Sequence, residues 1–171
     1  MNAPVRAWHF TGPTLRDGAP IPPVGHKLCL PNPDNLELCV WGYHGSLRPF
    51  DALQYAPGNL LHYTEHTGTI LYQEDKLCST ERTIIKSMNV EKVLQKFACK
   101  QALKVAHLRN VPKVVLDYLN TQNESLRDAA WAAARDAARA VARAAAWDAA
   151  WDAASAEFQC DIVSAFEVDH A

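Results

Sequence analysis

From Arg127 onward a register of four residues repeats seven times without a break: Arg127-Asp-Ala-Ala, Trp131-Ala-Ala-Ala, Arg135-Asp-Ala-Ala, Arg139-Ala-Val-Ala, Arg143-Ala-Ala-Ala, Trp147-Asp-Ala-Ala and Trp151-Asp-Ala-Ala. Alanine has the highest intrinsic helix propensity, and neither Gly nor Pro occurs after Pro112, so the tract reads as one long helix or two collinear ones, over about 124–157. Each repeat advances about 400° around a helix of about 3.6 residues per turn, so its first position drifts by about 40° per repeat. Trp131 and Trp151 are five repeats apart. On a straight helix they face opposite ways. Trp147 and Trp151 sit on adjacent turns and make one aromatic patch, while Arg135, Arg139 and Arg143 drift by only about 80° and make one basic stripe. If Trp131 packs on the chain's own core, Trp147 and Trp151 are placed to meet a partner or a second copy; a helix that kinks or wraps instead folds both ends home. Indoles beside small alanines are good interface anchors.

The 171 residues, 49% hydrophobic and 21% charged, suit one compact domain with an extension. A formal net charge of -2 argues against a protein that coats nucleic acid generally, though not against local basic patches. The cysteines Cys29, Cys39, Cys78, Cys99 and Cys160 are odd in number and contain no CxxC pair, which points to a reduced, cytoplasmic chain. The first 20 residues lack the apolar core of a signal peptide. No uninterrupted apolar run approaches the roughly 20 residues of a membrane span, so no membrane partner is expected.

All seven glycines lie at or before Gly68 and nine of the ten prolines at or before Pro57. The chain therefore changes class along its length. Short β-like segments are expected at Val5 to Thr11, Leu36 to Trp41, Asn59 to His66, Thr69 to Tyr72 and Lys76 to Lys86, with one short helix from about Pro49 to Tyr55. After Ser87 the pattern is helical. Asn89 is a candidate N-cap for a helix to about Leu108, Pro112 opens a short helix through Leu119, and the alanine tract follows. The expected class is α+β: a β-rich head over 1–86 with a small antiparallel sheet, then a helical half over 87–171.

Three constellations are candidates for chemistry. His62-Tyr63-Thr64-Glu65-His66 spells the HxxEH of some metalloproteases, but that chemistry requires both histidines on adjacent turns of a helix. Here the string lies in a strand, where four residues separate the rings by roughly 13 Å. A half-exposed strand with His62, Thr64 and His66 on one face is the expectation, and no metal. Gly42-Tyr43-His44-Gly45-Ser46 reads as a tight turn before a helix, able to line a ligand site with His44 and Ser46 or simply to shape the turn. Lys92, Lys96, Lys100 and Lys104 recur every four residues on one helix, where like charges repel. Something acidic is expected opposite them. Internal candidates are the acids beyond Arg143, among them Asp148, Asp152, Glu157 and Asp161; a nucleic acid or an acidic protein is the alternative.

The stretch GYHGSLRPFDALQYAPG from Gly42 to Gly58, followed by Asp75-Lys76-Leu77, Glu81-Arg82-Thr83-Ile84, Ala106-His107-Leu108 and Val114-Val115-Leu116-Asp117-Tyr118-Leu119, resembles an uncharacterised family of small bacteriophage and bacterial proteins, often ending in an Ala-Arg-Asp-Trp tract. The resemblance spans nearly the whole chain. It implies a phage-type accessory protein, and such proteins commonly disarm host defence systems by binding, as anti-CRISPR proteins do. A second likeness rests on an early strand with His9, the turn carrying His44 and Ser46, a short helix ending at Tyr55, and a following strand. That order is similar to ADP-ribosyltransferase folds. It implies an NAD site lined by His9, His44 and Ser46, with Glu65 or Glu81 as the late acid.

The sequence thus leads to a non-enzymatic accessory protein that needs no cofactor and binds a host or phage protein, or itself, through Trp147, Trp151 and the Arg135, Arg139, Arg143 stripe. An NAD-binding transferase is the alternative, and a nucleic-acid binder using the lysine row is a third.

Overall fold

The computed structural model describes residues 3–108, 111–138 and 147–166, with backbone alone for 135–138, 147–150, 152 and 153. The class is α+β. Strands β1 (Val5–Thr11), β2 (Lys27–Cys29) and β3 (Tyr43–Gly45) precede the short helix α1 (Pro49–Leu53) and the long strands β4 (Leu60–Tyr72) and β5 (Leu77–Asn89). Helices α2 (Glu91–Ala106), α3 (Lys113–Thr121), α4 (Arg127–Ala138) and α5 (Trp147–Phe166) follow. Two compact units result: the residues up to Glu91 together with those from Phe158 onward, and Lys92–Glu157. The expected division at residue 86 put all of 87–171 in the helical half. The structure instead groups the last turns of α5 with the sheet.

In the sheet unit every pairing is antiparallel, in the order β1-β4-β5-β2, and β3 also pairs with β5. Just after β3, Ser46 exchanges two backbone hydrogen bonds of 2.8 Å with Trp8 of β1. The path β1-β4-β5-β3 therefore returns to β1 and closes into a ring, which removes the open edges of those strands. The β1–β4 register aligns Ala7 with Thr64 and His9 with His62 on one face, and Trp8 with Tyr63 and Phe10 with Leu61 on the other.

The Trp8 face is apolar because α5 covers it. Phe158, Ile162 and Phe166, spaced four apart on one side of that helix, are fully buried. Phe166 meets the Trp8 ring edge-on at 4.9 Å, Phe158 meets Phe50 of α1 at 5.6 Å, and Lys86 Nζ donates to the Phe166 carbonyl. The other face turns into the ring and is polar. His66 is in hydrogen-bonding reach of Ser79 on β5, and a Cβ on Gly45 of β3 would sit 2.8 Å from His66 Nε2 and 3.0 Å from the Ala7 Cβ.

Where structure and expectation differ, local chemistry explains it. Leu36 to Trp41 is a turn, not a strand: Pro33–Asn35 forms a single 3₁₀ turn, Trp41 N donates to Glu37 O, and Cys39 takes a left-handed φ of 67°. Gly42 to Ser46, expected as a turn, contains β3. The segments around Gly68 are one strand because Gly68, at φ 75°, makes a bulge rather than a break, and Thr69 N donates to Thr80 Oγ1. His62, Thr64 and His66 do share one face of β4, but buried rather than half exposed. Asn89 caps α2 as expected, its Oδ1 accepting from Glu91 N at 2.9 Å.

In the helical unit α3 and α4 pack around Cys99, Val115, Tyr118 and Ala130, with Leu126, Ala133 and Ala134 against them. Whether α4 and α5 form one helix rests on residues 139–146, which lie outside those described. Among the described residues no helix is long and apolar enough to cross a membrane, and all five cysteines are free thiols.

The packing at Gly45 yields a direct test. Gly45→Ala, which drives a methyl onto the His66 ring and Ala7, is expected to cost about 1–3 kcal/mol in urea unfolding. Gly12→Ala, which meets nothing within 4 Å, is expected to stay within about 0.5 kcal/mol of the parent.

Candidate functional site

The inward face of the ring holds a cation that no carboxylate among the described residues balances. Arg82 lies on β5 opposite His66 on β4 and is only 4% exposed. Its Nη1 donates to the His44 carbonyl at 3.1 Å and its guanidinium lies 5.3 Å from the centre of the Tyr43 ring, but its buried Nε has no partner. The acids are committed elsewhere. Asp51, the one buried carboxylate among the described residues, accepts two bonds from Arg48 at 2.7 and 2.9 Å. Glu65 and Glu81 alternate onto the outer face, where they pair with Arg6 at 2.9 Å and Lys27 at 2.7 Å. A buried donor without an acceptor costs about 1–3 kcal/mol, and an unbalanced buried charge more. Burial pushes Arg82 down to about 10, so it remains cationic at neutral pH.

Histidines surround this cation and are held neutral by burial first and by the cation second. Burial first and Arg82 second lower His62 to about 4 and His66 to about 3. His9 falls well below its ordinary value through burial, then Arg82 and the other three rings; His44 is lowered by burial, then Arg82 and Lys76. Hydrogen bonds settle two tautomers. The Cys39 backbone N–H donates to His44 Nε2 at 3.0 Å, so that nitrogen carries the lone pair. The Thr11 hydroxyl donates to the Gly12 carbonyl and accepts from His62 Nε2, leaving Ser87 to donate to Nδ1. His66 is different. Thr64 Oγ1 donates to the Ala7 carbonyl and Ser79 Oγ to the Glu81 carbonyl, so both hydroxyls turn lone pairs toward the His66 nitrogens, at 3.0 and 2.7 Å. A neutral ring has one proton for two such acceptors. With a neutral ring, one of the two hydroxyls must turn its proton from its carbonyl to His66.

The structure gathers some of the expected site residues and separates others. His9 projects inward, its ring 6.4 Å from that of His62. Ser46 is buried and pairs with Trp8, so its side chain lies on the apolar face and does not share a site with His9. Arg82, Thr11 and Ser79 were missed by sequence reasoning. The signal for Arg82 was the period of two that puts it on one face of its strand with Ile84.

In the helical unit, Trp131 is 63% exposed, the reverse of the expectation that it packs on the core. Ala130, Ala133 and Ala134 occupy the inner face instead, and α3 approaches closely because they are small. Trp151 is 42% exposed. The side chains of Trp147 and Arg135, and Arg139 and Arg143 altogether, lie outside the described residues. The lysine row meets internal acid: Lys92 lies 3.5 Å from Glu124, Lys100 lies 3.4 Å from Glu157, and Lys104 also pairs with Glu157, which accepts from Gln101 as well. Lys96 is exposed and has no ion pair among the described residues. These contacts, with Lys104 the largest, hold the Glu157 carboxyl well below the usual range.

Among the described residues no three or more His, Cys, Asp and Glu side chains are grouped to hold a metal. His62 and His66 are on a strand, as the spacing argument requires. In comparisons with protein-family models, curated proteins and solved structures, nothing matches this chain.

The depressed histidines set an acid limit on the sheet unit. A base whose folded pKa lies below its unfolded value of about 6.5 leaves the unfolded chain binding more protons in between, so stability rises with pH across that window. Stability is therefore expected to fall as pH drops from about 7 to about 5, before ordinary carboxylates titrate, with a slope of at most about 1.4 kcal/mol per pH unit per histidine. Urea midpoints across that range check this, and His62→Gln with His66→Gln should flatten the slope.

Proposed function

We propose that this protein acts by non-enzymatic binding of a macromolecular partner through its helical unit. The observation that carries the reading is the exposure of Trp131, 63%, on a helix whose opposite side is committed to the core. Exposed indoles on a rigid alanine helix offer large contact area for little loss of side-chain freedom, the property of interface anchors. Trp151 offers a second, partly exposed indole. The partner is a host or phage protein, or a second copy of this chain. The role of a phage-type accessory protein that blocks a host defence system rests on the family resemblance alone.

Two observations favour binding over group transfer. The acids available to a transferase, Glu65 and Glu81, are ion-paired on the outer face, and His9 and Ser46 project from opposite faces. The reading as an NAD-binding transferase would require labelled product from NAD and host lysate, together with an NAD-induced thermal shift. A nucleic-acid role for the lysine row is weakened by Glu124 and Glu157, which occupy Lys92, Lys100 and Lys104.

The test is the paired substitution Trp131→Ala and Trp151→Ala. At Trp131 the change is expected to alter stability by no more than about 0.5 kcal/mol, as for an exposed side chain. The pair is expected to weaken partner capture or self-association by about 30-fold or more, the effect of losing one interface hot spot. Pull-down from host cells and light scattering measure both; unchanged association by a folded double variant contradicts the reading.

A further inference from the structure

The unbalanced cation on the inward face calls for an anion that no described residue supplies. We infer that the sheet unit binds the phosphate group of a small ligand at Arg82, with the Arg82 Nε–H as the donor reserved for it. This site is separate from the helical surface and stands without it.

Three observations converge. The Arg82 Nε is buried and unpartnered in a residue 4% exposed. Glu65 and Glu81, on the strands that carry His66 and Arg82, are turned outward onto Arg6 and Lys27, and no carboxylate among the described residues pairs with the guanidinium. The other groups around it, His9, His44, His62, His66 and Tyr43, include no anion at neutral pH. A guanidinium presents parallel N–H groups that suit an oxyanion, and this one is preorganised by the His44 carbonyl and the Tyr43 ring.

The charge count selects phosphate over carboxylate. Arg82 alone balances a single negative charge, whereas a phosphate monoester carries about -1.5 to -2. His66, neutral without a ligand, is placed to take up a proton and supply the remainder when phosphate binds. With Thr64 and Ser79 both donating to backbone carbonyls, each of its nitrogens faces a lone pair, the arrangement that an imidazolium satisfies and a neutral ring does not. The half-buried Tyr43 beside the guanidinium offers a ring surface to the rest of the ligand.

The full-length chain is titrated with inorganic phosphate, with sodium acetate and sodium chloride at matched ionic strength as controls. Phosphate is expected to raise the thermal midpoint saturably, by about 4 °C or more, and to move the His66 ring resonances in nitrogen-proton spectra toward the imidazolium positions. Arg82→Met is expected to abolish both effects. A phosphate response matched by acetate or chloride, or one retained by Arg82→Met, overturns the proposal. Should Arg82→Met not fold, the wild-type spectra decide: His66 ring resonances unmoved up to tens of millimolar phosphate also overturn it.

Discussion

The pair of backbone hydrogen bonds between Trp8 and Ser46 turns an open sheet into a closed ring, and the rest of the sheet unit depends on that closure. An open sheet of this sequence would leave the His62, Thr64, His66 and Arg82 row facing water, where polar groups need no internal partners. Closure makes that row an interior. Each polar atom must then find a partner, and the hydroxyls of Thr11, Thr64, Ser79 and Ser87 supply them for His62 and His66. Gly45 is the clearance the arrangement requires, because a side chain there would collide with His66.

The two faces of the sheet are stabilised by different physics. The Trp8 face buries Phe158, Ile162 and Phe166, and its contribution scales with apolar area removed from water. The inward face adds little net stability, because its hydrogen bonds mostly replace bonds to water and its cation has no anion among the described residues. A surplus charge buried in an otherwise satisfied network is where physical economy fails locally, and such failures concentrate at functional sites. Among its described residues the helical unit shows no such anomaly. Lys92, Lys100 and Lys104 are met by Glu124 and Glu157, and what remains unexplained by packing is exposed aromatic surface at Trp131.

Much of this architecture was legible in the sequence, because the signals are local. Val5 to Thr11 reads as a strand from its own alternation, and the strand is found with those bounds. Pro49 announces a first helical turn, Asn89 an N-cap and Pro112 the start of α3, each through chemistry confined to a few residues. The shared face of His62, Thr64 and His66 follows from period two alone. Less was legible at the candidate sites. Ser46 and His9 are neighbours through the ring, yet which face each takes depends on a pairing across 38 positions that no local pattern encodes.

The sequence by itself determined the α+β class, the division between a Gly- and Pro-rich strand region and an alanine-rich helical one, and the period-two and period-four rows on which candidate residues lie. These follow from propensity and spacing, which act over a few residues. Only the tertiary structure decided that the histidine row faces inward, that Arg82 meets no acid among the described residues, that Trp131 faces out while alanines face in, and that the last turns of α5 belong to the sheet. Each of these depends on which distant segment covers which face, and burial is a property of the covering segment as much as of the residue covered.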